Sequence, residues 1–323
     1  MSNIEDLAEE AAEDAIKPKS WKGILWSITK VIIILVVTGG LLYYVFSKVP
    51  FAKFRYRLFH ANPAWLAAAI TCYFASMLFS AWRLLSFFNS IGLKLNYRFN
   101  LRLYFSGLCY NLLLPGGIGG DGYKIYLLHK RYKQPTKKVF FSILFDRLSG
   151  FWAIGLFATL FILLIPRIQF NSVLVVCIFL GGSAIYYTIL RRFFRDYTHN
   201  FFAAHLKAIG VQATQLLLII CLLQSQSDFN TAFAPYLLSF LISALAAVIP
   251  ASLGGGGIRD TIMLNLSKPF HLTNDMAVFL TFTFYLISIL VALCGIYYAF
   301  FPKHLDRGLK PAEEKQQLTQ PNS

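Results

Sequence analysis

Leu114-Pro115-Gly116-Gly117-Ile118-Gly119-Gly120-Asp121-Gly122-Tyr123-Lys124 interrupts one long apolar run. Ile249-Pro250-Ala251-Ser252-Leu253-Gly254-Gly255-Gly256-Gly257-Ile258-Arg259-Asp260 interrupts another. With the prolines aligned, each stretch has an apolar residue before Pro. Each also has Gly-Gly at the fourth and fifth positions after it, Gly at the seventh and a base at the ninth. Nine of the chain's 21 glycines lie here, so both stretches read as breaks in helical runs. They would be two unrelated Gly-rich loops unless the surrounding chain repeats as well, and it does. Pro250 follows Pro115 by 135 residues. The same shift carries the apolar run 63–88 onto 198–223, where a helix is expected at 201–223. It carries 138–165 onto 273–300, where one is expected at 276–301. The hairpins occupy 100–114 with 119–132, and 234–250 with 257–267; the leading helices are 24–46 and 172–190. The chain therefore reads as two copies of one unit: helix, helix, Gly-Pro hairpin, helix.

The composition says what surrounds these units. Of 323 residues, 57% are hydrophobic and 14% charged, and mean hydropathy is +0.57. A soluble domain carries about 25% charged residues, and several runs here approach the ~20 apolar residues that cross a bilayer. The expected fold is an all-α polytopic membrane protein. It has two inverted repeats, each of three transmembrane helices plus a re-entrant Gly-Pro hairpin. An acidic cytoplasmic arm (1–20) precedes the transmembrane domain (21–305; repeat A about 24–165, repeat B about 172–301), and a polar tail (306–323) follows. No stretch is long and polar enough for a separate catalytic head.

Charge supports the inversion. Three crossings per unit turn the second unit over. Bases gather at Lys94 and Arg98, at 129–138, at Arg191–Arg195 and at Lys303–Lys310, whereas 166–171, 224–233 and 268–275 hold only Arg167 and Lys268. By the positive-inside rule both termini are cytoplasmic, in the inner cell membrane. The exception is 48–62, with Lys48, Lys53, Arg55 and Arg57; its alternation with aromatics suits a segment lying at the interface. Bases set between apolar runs point to membrane contact and away from nucleic acid. The five cysteines all lie in apolar segments with no CxxC, and read as packing residues.

Backbone broken at membrane depth must face protein or a watery cavity. The second half-helix of each hairpin, starting near Gly120 or Gly257, presents free N–H groups and a partial positive charge, a setting for an anion. Lys124 and Arg259 lie in the first turns of those half-helices. The competing reading is that the glycines only allow close helix packing. Asp121 and Lys124 share a helix face and can neutralise each other. Asp146 and Arg147 lie about 12 Å into their helix at ~1.5 Å per residue; they are either functional groups or a structural pair with another helix. Arg83, near the end of its run, snorkels to the surface or joins the gating groups. Asn111 caps freed carbonyls or lines the cavity. GxGxxG at 117–122 lacks a strand–turn–helix context and is no dinucleotide site. No metal, cofactor or catalytic constellation is expected.

Trp82-Arg83-x-Leu85, Asn111-x-x-Leu114-Pro115-Gly116-x-x-Gly119-Gly120-Asp121, Asp146-Arg147-x-x-Gly150 and Pro250-x-Ser252-x-Gly254-Gly255-x-Gly257-x-Arg259-Asp260 occur in this order. In that order they resemble the flippase-like transmembrane family that includes the membrane half of lysylphosphatidylglycerol synthase. Asp260 stands where the family usually has glutamate, and Lys124 where arginine is common. The resemblance implies a lipid-translocating domain without the synthase's soluble aminoacyltransferase domain, and hence no enzyme. Its substrate would be an anionic or phosphate-bearing lipid: an aminoacylated phospholipid or a polyprenyl-phosphate-linked sugar. The expected head-group residues are Lys124, Arg259, Asn111, Ser252, Gly119, Gly120, Gly254, Gly255 and Gly257. Pro115, Gly116 and Pro250 would be hinges, and Asp121, Asp146, Arg147, Asp260 and Arg83 would gate or couple. Two alternatives remain open: an accessory membrane subunit for a separately encoded glycosyltransferase or lipid synthase, and a small-anion transporter.

Overall fold

The computed structural model describes residues 51–113, 119–165, 171–246 and 257–301, together with Leu305 and six isolated positions between 29 and 47. The centres of both Gly-Pro segments, with Pro115, Gly116, Pro250, Ser252, Gly254 and Gly255, lie outside the described residues. So do the acidic arm, nearly all of the first expected helix (24–46) and the polar tail.

Among the described residues there is no β-strand. The helices are α1 (Phe51–His60), α2 (Pro63–Ser90), α3 (Tyr97–Leu113), α4 (Gly119–Tyr132), α5 (Thr136–Leu164), α6 (Ser172–Phe193), α7 (Phe201–Gln224), α8 (Phe233–Ala246), α9 (Ile258–Ser267), α10 (Asn274–Leu293) and α11 (Ile296–Phe300). Five of them, α2, α5, α6, α7 and α10, are long and apolar enough to cross a membrane. The chain is an all-helical, multi-pass membrane protein.

Local chemistry sets the helix ends. Asn62 accepts a hydrogen bond from the Ala64 N–H (2.9 Å) and Pro63 opens α2; both residue types favour a helix start. Asn171 does the same for α6, accepting from Val173 and Leu174. The helix expected at 276–301 is in fact two, α10 and α11, parted at Cys294-Gly295. At that step a Cβ on Gly295 would collide with the Phe105 carbonyl of α3, so only glycine lets the chain pass there.

The shift of 135 residues reappears in the packing. The counterparts α2 and α7 form the most extensive helix pair. The contact of α3 with α4 recurs as α8 with α9, that of α4 with α5 as α9 with α10, and that of α5 with α8 as α10 with α3. One core cluster joins the repeats through Tyr73, Phe105, Ile219, Phe240, Phe279 and Phe284, all buried. A second cluster, with Phe87, Phe88, Phe99, Leu103, Leu128 and Phe141, centres on the first unit and takes in Leu190, Tyr197, Phe201 and Ala204 from the second. α6 stands at the edge, packed chiefly on α5 and on the short 3-10 turn Arg195–Thr198.

The basic segment at 48–62 finds acids. α1 turns Phe54 inward against Phe282, with ring centroids 4.8 Å apart. Its Arg57 donates from Nε to Asp275 (2.7 Å), from both Nη atoms to Asp228 (3.1 Å each) and from Nη1 to Gln226 (3.2 Å). Asp228 follows α7 and Asp275 lies in the first turn of α10. α1 therefore shares one end of the bundle with both segments, which accounts for the charge exception without breaking the repeat.

Candidate functional site

The first hairpin closes glycine against glycine. A Cβ on Gly120 would fall onto the Gly107 carbonyl of α3, so α3 and α4 touch through bare backbone. Asn111, at the end of α3, accepts a hydrogen bond from the Gly120 N–H at 2.8 Å. Its amide oxygen thus satisfies a donor at the start of α4. Gly119 opens that helix.

From there a chain of charges runs across the helices. Lys124 Nζ, buried, donates to Asp121 (3.2 Å) and lies 4.7 Å from the centre of the Tyr104 ring. Asp121 also accepts from Arg147 of α5, through Nε at 2.8 Å and through Nη2. The preceding residue, Asp146, makes a different pairing. It accepts a two-point ion pair from Arg83 of α2, Nε at 2.8 Å and Nη2 at 3.0 Å. Gly150 leaves the room, since a Cβ there would stand 3.1 Å from Arg83 Nη1. Arg83 is 7% exposed and does not snorkel. The buried carboxylate of Asp146, met at two points, holds the guanidinium inside the bundle.

The second hairpin is built differently. Gly257, with φ of +79°, caps α9, and its N–H donates to Asp260 at 3.1 Å. The buried Asp260 also accepts from the Thr281 hydroxyl. Among the described residues Asp260 forms no ion pair, and its carboxylate holds the start of α9. Thr281 is the counterpart of Asp146 at the shift of 135. Where repeat A sets a carboxylate against an arginine, repeat B sets a hydroxyl against a carboxylate.

Arg259 is the counterpart of Lys124, and both lie on an aromatic ring of the preceding half-helix. The Arg259 guanidinium is 5.2 Å from the centre of Phe240 and 4.4 Å from that of Phe284. Its Nη1 is buried and has no hydrogen-bond partner among the described residues. No hydrogen bond or ion pair joins Lys124 to Arg259 there. Tyr73 and Tyr104 lie between the two groups: Tyr104 within electrostatic reach of Arg83 and Arg147, Tyr73 within reach of Tyr104 and Arg259. Neither tyrosine stands out in the sequence, because an aromatic on an apolar helix reads as packing.

Three bases (Arg83, Lys124, Arg147) thus pair with two acids (Asp121, Asp146), while Arg259 and Asp260 sit on the second hairpin without forming an ion pair among the described residues. The excess of one positive charge suits an anion. Among the described residues no group of three or more His, Cys, Asp or Glu could hold a metal ion.

The family model of the lysylphosphatidylglycerol synthase TM region matches residues 31–214, more than half of the chain. The match covers the first hairpin and runs into α7; the second hairpin lies beyond it. No curated protein matches the chain.

Proposed function

The chain belongs to the lysylphosphatidylglycerol synthase transmembrane family, and from that premise we propose that it moves a lipid with an anionic, phosphate-bearing head group between leaflets. The observation that carries this reading is Arg259, whose guanidinium is held on two rings with a buried nitrogen lacking a partner among the described residues. A buried cation without a counter-ion is costly, and a phosphate would complete it. On this reading the half-helix N-termini of α4 and α9 add partial positive charge. Lys124, already beside Asp121, exchanges its carboxylate for the phosphate during passage, and Arg147 and Asp121 re-pair as the lipid leaves. The lipid is an aminoacylated phospholipid or a polyprenyl-phosphate-linked sugar. The repeats are inverted in the inner membrane with both termini cytoplasmic, and no covalent chemistry takes place on the head group.

The test is lipid binding and leaflet exchange in proteoliposomes with fluorescent phosphatidylglycerol and fluorescent polyprenyl phosphate. It compares the wild type with Lys124→Gln, Arg259→Gln and the double variant. A charge-assisted contact contributes about 1.5–3 kcal/mol, so each single change is expected to weaken binding roughly ten- to a hundredfold. The double variant should lose less than the sum, because one head group touches both. Unchanged exchange in a folded double variant would overturn the reading.

A further inference from the structure

α5 and α6 diverge around a cleft of about 350 Å³, walled by Phe151, Trp152 and Gly155 on one side and Phe179, Gly182 and Tyr186 on the other. Both walls are membrane spans, and Gly182 is exposed at the cleft's edge. The cleft therefore meets the hydrocarbon of the bilayer. Its glycines set its width: nothing stands within 4 Å of a Cβ built on Gly182, and one on Gly155 meets only Phe179, at 3.5 Å. Two polar groups of the wall are turned to each other, with Trp152 Nε1 donating to the Ser183 hydroxyl at 2.9 Å. The Tyr186 hydroxyl is buried and has no partner among the described residues, but the rest of the lining, with Leu148, Phe151, Ile178 and Phe179, is apolar and suits methylene groups.

Its position on α5 gives it a further meaning. Arg147, which reaches Asp121 and the charged chain, lies one helical turn before Phe151 on nearly the same side of the helix. A turn is about 5.4 Å, the distance from a lipid phosphate into the first part of its chains. We propose that the α5–α6 cleft seats one hydrocarbon chain of the lipid whose head group the charged chain holds. The inference rests on the head-group reading above and adds the place of the chain. It makes α5 the guide of the lipid, with the phosphate at Arg147 and the chain running on from the next turn of the helix.

The test uses the full chain in phosphatidylcholine nanodiscs. Three probes each carry a diazirine midway along one chain: phosphatidylglycerol, polyprenyl phosphate and phosphatidylcholine. The anionic probes should label residues 151–155 and 178–186 above the phosphatidylcholine probe, and the better of the two identifies the chain as acyl or isoprenoid. Gly182→Phe puts a ring into the cleft from a position whose Cβ meets nothing within 4 Å, and Gly181→Phe, with equal space at its Cβ but off the cleft wall, is its control. Losing the burial of a few methylenes should lower labelling and exchange about tenfold in Gly182→Phe, with Gly181→Phe near wild type. Equal labelling by phosphatidylcholine, or wild-type exchange in Gly182→Phe, would overturn the inference. Arg259→Gln separates the two readings. Loss of exchange there with a normal Gly182→Phe removes the chain seat alone; the reverse pattern removes the head-group site alone.

Discussion

Arg83 and Asp146, 63 residues apart in the chain, form a buried two-point ion pair between α2 and α5, at 2.8 and 3.0 Å. The pair exists only when the helices assemble. Removing one member leaves the other charge buried. Arg83→Ala or Asp146→Ala is expected to cost about 3–5 kcal/mol, while Arg83→Met with Asp146→Leu recovers much of the loss. Denaturant unfolding in micelles measures this; a double variant as unstable as both singles combined would contradict it.

The glycine contact in the first hairpin makes a sharper prediction. Gly120→Ala places a methyl group on the Gly107 carbonyl, whereas a Cβ on Gly122, two residues on, meets nothing within 4 Å. Gly120→Ala should reduce the yield of monodisperse protein and lower its melting temperature. Gly122→Ala should be neutral, or stabilising by up to about 1 kcal/mol from helix propensity.

At the end of the bundle where α1 packs, Arg57's hydrogen bonds hold the Asp228 carboxyl below the usual carboxylate range, against a smaller effect of burial. A carboxyl held down in the folded state binds its proton less readily than in the unfolded chain. Its contribution to stability is therefore present above about pH 4 and lost as pH falls through the lowered value. Asp228 is largely exposed, so the effect is small. The melting temperatures of wild type and Asp228→Asn should differ at pH 6 on the order of a degree or two, and converge once the pH has fallen through the lowered value. A difference that persists in acid would show that something other than charge distinguishes them.

Asp121 holds both Lys124 and Arg147. Asp121→Asn frees two bases at once. Anionic lipid should then bind more tightly, by about tenfold on the strength of one charge-assisted contact, and leave more slowly, so that exchange falls. Equilibrium binding and exchange measured on the same preparation decide this, since weaker binding would remove Asp121 from the release step.

Much of this architecture is legible in the sequence, because apolar runs and their punctuation are local. The expected 119–132 is α4 itself, and 172–190 and 201–223 differ from α6 and α7 by three residues or fewer. The need for glycine at 295 is not legible, since it comes from a backbone carbonyl on α3, far away in the chain. The same holds for the site. Asp121 with Lys124 follows from their spacing, whereas the Gly257–Asp260 cap does not stand out, because an acid beside Arg259 reads first as a partner for charge. The partners of Arg83 and Arg57 come from segments 63 to 218 residues away, and no local pattern specifies them.

Gly295 has one more consequence. Its contact with Phe105 ties α11 to α3, in the first repeat, while α10 belongs to the second. If the repeats rock against each other, α11 travels with the first and α10 with the second. The step at Cys294-Gly295 is then a coupling joint: there the end of the chain crosses from one moving body to the other, and stiffening it would restrain both.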